Sequence, residues 1–339
     1  MARKKKRKHA TIGIDIGGTK TLYALLDESF EVIAEEKLRS RAGKDPLKSF
    51  EAGLEDSLRT LLKEARDRKL KVRHVGVGIA GEPDMKTGVV RRAANLEFLD
   101  GFPLAARLKK LTDAKVFVAN DVHTGLYGEC TLGVARKAQH VLGVWLGTGV
   151  GGAMVIGGKL HLGCTGVAGN LGNYVLHAVD VAHDAPRKEV LDNVASRTAI
   201  AGDAAVLAAK ERAPKLKRAA GTDVSEIKSG DLADAIRKGD DAIEKLVRSR
   251  ASVIGTAISN LVDFVNPDMV VLGGGLIEAM PTLMRREIEA AVKAHASPAA
   301  WKCTKIVTAS LHDHAGTIGA AKLAVDMQQR KPPIDVKIR

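Results

Sequence analysis

The sequence predicts an α/β fold in which two domains follow one plan. Its 339 residues are 45% hydrophobic, which is enough for roughly two folded domains of about 100–200 residues each. Strand patterns flank a glycine-rich turn near the N-terminus, and the same order begins again at residue 139. Helical patterns, with apolar residues three or four positions apart, follow both groups of strands. The two similar halves indicate an internal duplication.

The first half combines short strands with one long helix. Helical spacing of apolar residues predicts that helix at 45–69. Apolar segments bounded by turn residues predict strands at 11–16, 22–26, 32–36, 72–79 and 115–119. These elements complete an N-terminal α/β domain.

The second half begins with strands and continues with helices. A helix-rich region is predicted over 191–265, and a last helix is predicted at 317–329. Strands are predicted at 141–146, 152–156, 159–161, 269–272 and 305–309.

Composition excludes several classes of protein. No apolar run reaches the roughly 20 residues of a membrane span, and the N-terminus lacks the apolar segment of a secretory signal. Cys130, Cys164 and Cys303 are odd in number and far apart, which fits neither a disulfide framework nor paired metal ligands. We expect a soluble, cytoplasmic protein with reduced thiols and no membrane partner.

The net charge of +13 is concentrated at the N-terminus. Six positive charges lie in the run 3–8, so +7 remains for the rest of the chain. Such a run can bind nucleic acid, a membrane surface or another polyanion, but a flexible solvated tail is the commoner state. The stretch 330–333 has the same character. We therefore expect no specific nucleic-acid partner, and the mildly basic remainder suits an anionic substrate.

A first phosphate-type loop follows the first strand. Asp15 lies near the end of that strand, and Gly17, Gly18, Thr19 and Lys20 form the turn after it. Glycines let backbone N–H groups approach phosphate oxygens, Thr19 adds a hydroxyl donor and Lys20 adds positive charge. Asp15 is suited to orient a hydrated Mg²⁺. An ordinary glycine hairpin gives the same pattern, but two later glycine loops favour phosphate binding.

The second phosphate-type loop connects two strands of the second half. The segment 147–152 contains four glycines in six residues and includes Thr148 and Gly149. Such a turn presents several amides, and the Thr148 hydroxyl can bond a phosphate oxygen without adding charge. A tight strand connection is the alternative, although so many glycines usually accommodate a close neighbour of the backbone.

Asn120 and Asp121 are the main candidates for chemistry. They follow the end of a predicted strand, where ligands bind in α/β proteins. Phosphoryl transfer to an alcohol needs a carboxylate that orients the hydroxyl and accepts its proton, and Asp121 fits that role. An Asn-Asp turn or helix cap is the alternative. The position between two phosphate-type loops favours catalysis.

The segment 76–81 matches the dinucleotide-binding fingerprint Gly-x-Gly-x-x-Gly after a strand. A Rossmann loop opens into a helix whose N-terminus faces the pyrophosphate, whereas 82–88 has the composition of a turn. We therefore expect neither a nicotinamide nor a flavin cofactor.

These motifs resemble, in order, those of the ROK family (repressors, open reading frames and kinases) within the sugar-kinase, heat-shock-protein-70 and actin superfamily. The resemblance runs from about residue 11 to about residue 324. It implies an α/β fold of two duplicated actin-like (ribonuclease H-like) domains with an active-site cleft between them. The implied ranges are a basic tail (1–10), an N-terminal domain (11–122), a C-terminal domain with a helical insert and a final helix that packs on the N-terminal domain (123–329), and a basic tail (330–339).

The resemblance also implies roles for single residues. In this family the residue matching Asp121 is the catalytic base, the one matching Asn120 contacts the sugar, and the segment with Asn95 lies beside the sugar pocket. The run Gly273, Gly274 and Gly275 resembles the adenosine motif, although helix packing also explains such glycines. The implied cofactors are ATP and Mg²⁺, and the implied assembly is a homodimer.

The chain departs from the family in the acceptor region. ROK sugar kinases typically have Ala-Gly-Glu-x-Gly-His, whereas this chain has Asn170 and Asn173 at the Glu and His positions. Asn173 is a poor zinc ligand and the cysteine cluster of the zinc motif is absent, so we predict no structural zinc. Asp192 matches the position of a sugar-binding Glu, with a helix N-cap as the alternative. A substitute metal site from His177, Asp180, His183 and Asp184 matches no strong template.

The sequence thus predicts an ATP-dependent carbohydrate kinase acting on a sugar or polyol. Asp121 would be the base, and the acceptor would be held by Asn95, Asn120, Asn170, Asn173 and Asp192. A ROK repressor would need a DNA-binding module before the first loop, and ten residues cannot hold one. A non-catalytic sugar-binding protein, or a kinase that uses polyphosphate, remains an alternative.

Overall fold

Strands and helices alternate along the chain as the sequence predicts. The structure is a computed structural model that describes residues 8–93, 95–179, 187–328 and 333–335. The basic run 3–7 and residues 330–332 lie outside the described residues. None of the described helices is long and apolar enough to cross a membrane.

The first part of the chain contains seven strands and three α-helices within the described residues. In order they are β1 (His9–Ile16), β2 (Lys20–Leu26), β3 (Val32–Arg39), α1 (Pro46–Asp67), β4 (Lys71–Ile79), β5 (Glu82–Pro83), β6 (Val90–Arg92), α2 (Leu104–Lys109), β7 (Lys115–Asn120) and α3 (Asp121–Thr131).

The rest of the chain is richer in helices. In order the elements are β8 (Val141–Leu146), β9 (Val150–Ile156), β10 (Lys159–His161), β11 (Val175–Val179), β12 (Arg187–Val190), α4 (Leu191–Ala195), α5 (Arg197–Ala209), α6 (Pro214–Ala220), α7 (Ser229–Arg237), α8 (Asp241–Val265), β13 (Met269–Gly273), α9 (Gly275–Ala279), α10 (Pro281–His295), α11 (Pro298–Cys303), β14 (Lys305–Thr308) and α12 (Ala315–Asp326).

Two five-stranded sheets repeat one topology. The first has the order β3-β2-β1-β4-β7, and the second has the order β10-β9-β8-β13-β14. In the first sheet β2 is antiparallel to both β1 and β3, whereas β1, β4 and β7 run parallel. In the second sheet β10 is antiparallel to β9, whereas β8, β13 and β14 run parallel. The matching order indicates the internal duplication that the sequence predicts.

The described residues divide into two compact units. Among those residues, the first unit falls within 8–137, 154–168 and 313–335, and the second within 138–153 and 169–312. The predicted domain limit after residue 122 falls inside α3, which belongs wholly to the first unit. The reason is packing, since α3 contacts α12 and β4 along its length.

Helix α1 follows from local sequence signals. Asp45 caps its N-terminus by accepting a hydrogen bond from the Lys48 N–H at 3.1 Å, and Pro46 occupies the first turn. Its apolar face is buried in the core of the first unit, where Phe50 packs edge-to-face against Phe98 and Phe102 with ring centroids 6.0 and 6.1 Å apart.

Glycines let α12 lie directly on the first sheet. A Cβ atom added to Gly13 of β1 would lie 2.0 Å from the Thr317 carbonyl oxygen. A Cβ atom added to Gly76 of β4 would lie 1.9 Å from the Ala320 carbonyl oxygen. Within the same layer, a Cβ at Gly319 of α12 would lie 1.8 Å from the Thr124 carbonyl oxygen of α3. Side chains at these positions would force the helices away from the sheet.

This packing also explains the segment 76–81. Gly76 admits α12, and Gly78 admits α3, because an added Cβ would lie 2.5 Å from Thr124 Oγ1. The segment continues into β5 rather than into a helix. Gly76 and Gly78 therefore serve helix–sheet contact, whereas Gly81 lies against β6, where an added Cβ would be 2.5 Å from the Arg92 carbonyl oxygen. The match to a dinucleotide fingerprint thus has a structural cause.

We expect Gly76→Ala to destabilise the protein by about 1–3 kcal/mol, because the added methyl would overlap the α12 backbone. Gly202→Ala in α5 is the matched control, since an added Cβ there meets nothing within 4 Å. The control should raise the free energy of unfolding by about 0.4–1 kcal/mol. Urea denaturation measures both, and equal stabilities for Gly76→Ala and the wild type would contradict the packing constraint.

Candidate active site

The first glycine loop is a tight hairpin between β1 and β2. The Gly17 N–H donates to the Lys20 carbonyl oxygen at 3.0 Å, and the Ser40 hydroxyl donates to the Gly17 carbonyl oxygen at 2.6 Å. Thr19 is exposed at the tip of the loop. The backbone is thus held from one side, and the tip is open to a ligand.

Two predicted residues occupy unexpected places around this loop. Lys20 forms an ion pair with Asp313 at 2.8 Å, so its ammonium already has an anionic partner. Asn95, which we expected beside the sugar, lies against the phosphate-type loop: a Cβ at Gly18 would be 3.0 Å from the Asn95 Cβ. The phosphate role of Lys20 and the sugar role of Asn95 stay predictions.

The surroundings of the Asp15 carboxyl disfavour its charged form. Burial, followed by the nearby charge of Asp121, raises its carboxyl pKa to about 7, and Lys20 only partly opposes this shift. Its carboxyl packs on the first turn of α12, where a Cβ at Gly316 would lie 2.5 Å from Asp15 Cγ. A half-buried carboxylate in this environment fits a hydrated Mg²⁺, which binds through one or two carboxylates and keeps several waters.

Asn120 and Asp121 are positioned by the start of α3. Asn120 is the N-cap, and its Oδ1 accepts hydrogen bonds from the backbone N–H groups of Val122 at 2.9 Å and His123 at 3.1 Å. Its Nδ2 donates to the Gly81 carbonyl oxygen and to Asp121 Oδ1, both at 3.0 Å. The cap that we considered as an alternative to a functional role is therefore present, and it orients Asp121.

Asp121 has one oxygen held and one available. Oδ1 accepts from Asn120 and from the Val122 N–H at 3.0 Å, whereas Oδ2 makes no hydrogen bond within the described part of the chain. Burial raises the pKa of Asp121 to about 6, and these hydrogen bonds oppose the shift. Such a carboxylate is ionised at neutral pH and basic enough to accept a proton.

Asp15 and Asp121 are brought together by the sheet. Asp15 pairs with Gly78 in the β1–β4 register, and a Cβ at Gly78 would lie 3.2 Å from the Asp121 Cα. Gly78 of β4 thus lies between the two acidic residues, and its lack of a side chain leaves space there. The sequence places them far apart, and only the parallel pairing of β1 with β4 and β7 brings them to one edge.

In the second unit, Asp192 supports the second glycine loop. Its Oδ1 accepts the Val150 N–H at 2.6 Å, and a Cβ at Gly149 would lie 2.8 Å from the same oxygen. Within the loop, the Gly147 N–H donates to the Gly149 carbonyl oxygen at 2.9 Å. Asp192 is not the N-cap of α4, which is Val190. Its observed contacts are with the loop, and its proposed contact with a sugar stays a prediction.

The acceptor segment packs against the strand that follows this loop. A Cβ added to Gly152 would lie 2.4 Å from the Gly169 carbonyl oxygen. A Cβ added to Gly172 would lie 3.3 Å from the Asp192 Cβ. Asn170 precedes the short 3₁₀ turn Leu171–Asn173 and Asn173 ends it, and both side chains are exposed. The second unit therefore brings Asp192, the glycine loop and the two amides into one neighbourhood.

Arg197 also reaches this loop, and sequence reasoning missed it. At the start of α5, its Nη2 donates to Thr148 Oγ1 at 3.3 Å, and its backbone N–H donates to the Gly147 carbonyl oxygen at 3.0 Å. Next to it, the Thr198 hydroxyl donates to the Thr148 carbonyl oxygen at 2.8 Å. The sequence does show an arginine five residues after Asp192, but it belongs to no motif that would have indicated a contact with the loop.

The triple-glycine run lies at the end of β13. A Cβ at Gly273 would lie 2.6 Å from the Trp145 ring, and Gly274 has φ +89° and lies against the Leu146 backbone. A Cβ at Gly275 would meet only Ser229 Oγ, at 3.5 Å. A cavity of about 110 Å³ opens here, lined by Leu272, Gly273, Ile277, Glu278, Pro281, Thr308, Ala309 and His312. Packing requires the first two glycines, and the cavity leaves space for part of a nucleoside.

No group of three or more His, Cys, Asp or Glu side chains in the described ranges is arranged to hold a metal ion. Asp180, His183 and Asp184, and the side chain of His177, lie outside the described residues. The absence of structural zinc stays a prediction.

Comparison of the sequence with known proteins identifies the family of this chain. The sequence model of the ROK family matches residues 11–327. The chain is 29% identical to the glucokinase of Thermotoga maritima over 92% of this chain and 96% of that protein. It is also 29% identical to the glucokinase of Halalkalibacterium halodurans over 92% of this chain and 94% of that protein.

A solved relative supports the same conclusion. The ROK family glucokinase from Streptomyces griseus, in complex with glucose and AMPPNP, has a TM-score of 0.79, is 26% identical, and aligns over 93% of this chain and 99% of its own. The predicted actin-like fold class is confirmed by such neighbours. With a family match over nearly the whole chain and this fold, the protein belongs to the ROK family.

Proposed function

We propose that this ATP-dependent carbohydrate kinase uses Asp121 as the general base. The observation that carries the proposal is the half-buried Asp121 carboxylate, which has one oxygen fixed by the α3 N-terminus and the other free of hydrogen bonds among the described residues. Its pKa of about 6 suits a base that works near neutral pH.

In the proposed step, a sugar hydroxyl attacks the γ-phosphorus of ATP. The new O–P bond forms as the bond from the γ-phosphorus to the bridging oxygen breaks, so ADP leaves with that electron pair. The hydroxyl proton passes to Asp121 Oδ2. Asn120 holds Oδ1 throughout, which keeps the receiving oxygen in position.

Both glycine loops would bind phosphate oxygens. In the first unit, the backbone of Gly17 and Gly18 and the Thr19 hydroxyl are the donors; in the second, Thr148 and the Gly149 backbone are the donors. Asp15 would hold Mg²⁺ through water, and the bound ion would neutralise charge on the transferred phosphate. The adenosine would lie at Gly273, Gly274 and Gly275, beside the cavity at the end of β13.

The acceptor is proposed to be a hexose or a close derivative, held by Asn95, Asn170, Asn173 and Asp192. Asn120 would join them only by exchanging one of its four hydrogen bonds, since its amide is fully used within the protein. Glucokinases are among the relatives, but amides replace the family's Glu and His at 170 and 173. An amide offers a donor as well as an acceptor, so the preferred pattern of hydroxyls differs from that of a carboxylate. An ADP-release screen with Mg·ATP against hexoses, amino sugars, N-acetyl sugars and cyclitols identifies the acceptor.

Three further features are proposed on the resemblance: a requirement for Mg²⁺, a homodimer and a cytoplasmic location. Titration with EDTA, sedimentation and cell fractionation test them in turn. Sugar binding without any ADP release would favour the non-catalytic alternative.

Asp121→Asn should lower kcat by about 10²–10⁴-fold, because the amide cannot accept the proton, while the dissociation constant of the sugar changes little. Steady-state kinetics and calorimetry measure the two effects. Asp113→Asn, an exposed residue before β7, is the charge-matched control and should keep the wild-type rate. A near-normal rate in Asp121→Asn would remove Asp121 as the base.

The rate should depend on pH through the same carboxyl. Because only ionised Asp121 accepts a proton and its pKa is raised to about 6, kcat/KM should fall about tenfold per unit below pH 6 when saturating Mg²⁺ keeps Asp15 ionised. An ordinary Asp would give this fall only below about pH 4. Circular dichroism over the same range controls for unfolding, and a flat profile from pH 7 to pH 5 would contradict the assignment.

Substitution of Asp192 distinguishes a role in binding ATP, through the second glycine loop, from a direct contact with the sugar. Asp192→Ala leaves the Val150 N–H without its acceptor, so KM for ATP should rise about tenfold, the value of one charged hydrogen bond. Asp192→Asn keeps an acceptor oxygen and should show a smaller rise. A rise confined to KM for the sugar would instead support a direct sugar contact.

A further inference from the structure

Arg197 is held in place by neutral groups only. Its Nη2 donates to Thr148 Oγ1 at 3.3 Å and its Nη1 donates to the Ile227 carbonyl oxygen at 3.2 Å. Among the described residues it forms no ion pair. Two other arginines of the same unit differ in this respect: Arg250 pairs with Asp203 at 2.7 Å, and Arg248 pairs with Glu244 at 2.6 Å.

The position is electrostatically unfavourable for a cation. Arg197 is the first residue of α5, whose first turn contains no acidic side chain, so the guanidinium lies at the positive end of the helix dipole. The side chain is half-buried, and burial lowers its pKa. A cation that is partly desolvated, unpaired and near a positive helix end becomes more stable when an anion binds.

The neighbouring groups indicate which anion fits. The guanidinium contacts the hydroxyl of Thr148, the polar side chain of the second glycine loop. Because Thr148 Oγ1 accepts this bond, its own hydrogen remains available to donate to a phosphate oxygen. A planar guanidinium matches two phosphate oxygens at once, which gives stronger and more specific binding than a single ammonium.

We propose that Arg197 binds the terminal phosphates of the phosphoryl donor, together with Thr148 and the backbone of the second loop. The proposal rests on the proposed phosphate role of that loop. The shared chemistry of the ligand is a chain of phosphates, which a nucleoside triphosphate and inorganic polyphosphate both supply. Arg197 adds a positive charge to a loop whose other donors are neutral.

The test uses three variants of the full chain. Arg197→Gln removes the charge and keeps a hydrogen-bond donor toward Thr148, and Arg197→Lys keeps the charge without the two-point geometry. Arg248→Gln, an exposed arginine on α8, is the control for net charge. Steady-state kinetics give KM for ATP, KM for the sugar and kcat. Calorimetry with ADP, AMPPNP and polyphosphate gives binding that does not depend on turnover.

For Arg197→Gln we expect KM for ATP and the dissociation constant of AMPPNP to rise about tenfold to a hundredfold, the range for a hydrogen bond to a charged group. KM for the sugar and the melting temperature should stay near the wild-type values. Arg197→Lys should recover part of the loss, and Arg248→Gln should match the wild type. A larger loss with polyphosphate than with AMPPNP would identify polyphosphate as the donor that Arg197 serves.

Two other results overturn the proposal, and they are distinguishable. In the first, Arg197→Gln binds AMPPNP and polyphosphate like the wild type but has a lower melting temperature, and kcat/KM for ATP and for the sugar fall equally. Arg197 would then be a structural link between the loop and Ile227. If the wild-type chain itself binds neither nucleotide nor polyphosphate, the proposed function of the loop fails as well.

Discussion

Direct contact between the backbone of α12 and the first sheet is the constraint on which the first unit depends. Gly13 and Gly76 admit the helix, and Gly319 on its other side admits α3. Close packing at these three points fixes how near both helices lie to the sheet and to each other. The start of α12 then lies against Asp15, and the start of α3 presents Asp121. The candidate catalytic carboxylates therefore owe part of their placement to glycines whose role is helix packing.

A single carboxylate has a comparable role in the second unit. Asp192 bonds the Val150 N–H and lies against Gly149 and Gly172, so it joins the second glycine loop to the acceptor segment. A change at Asp192 is thus expected to reach the donor side as well as the acceptor side. The sequence suggests Asp192 as a sugar ligand, whereas its observed hydrogen bond in the structure stabilises the loop.

The two units carry opposite unpaired charges. In the first, burial raises the pKa values of Asp15 and Asp121, which marks carboxylates with insufficient positive charge around them. In the second, Arg197 is a half-buried cation that forms no ion pair with any described residue. A kinase needs this combination, because its substrates bring both a divalent cation and a chain of phosphates. We propose that a cation held at Asp15 and phosphates bound at Arg197 would supply the opposite charges.

The sequence by itself determined the α/β fold class, the glycine loops, the long helix predicted at 45–69 and Asp121 as the candidate base, because these depend on local periodicity and turn chemistry. It did not reveal α3 as a helix, since residues 122–129 are buried on all sides and leave no apolar stripe at helical spacing. Only the tertiary structure decided that Lys20 is paired with Asp313, that Asp192 supports a loop, and that Arg197 reaches Thr148. Those contacts join residues 42 to 293 positions apart, where no short-range pattern specifies which side chains meet.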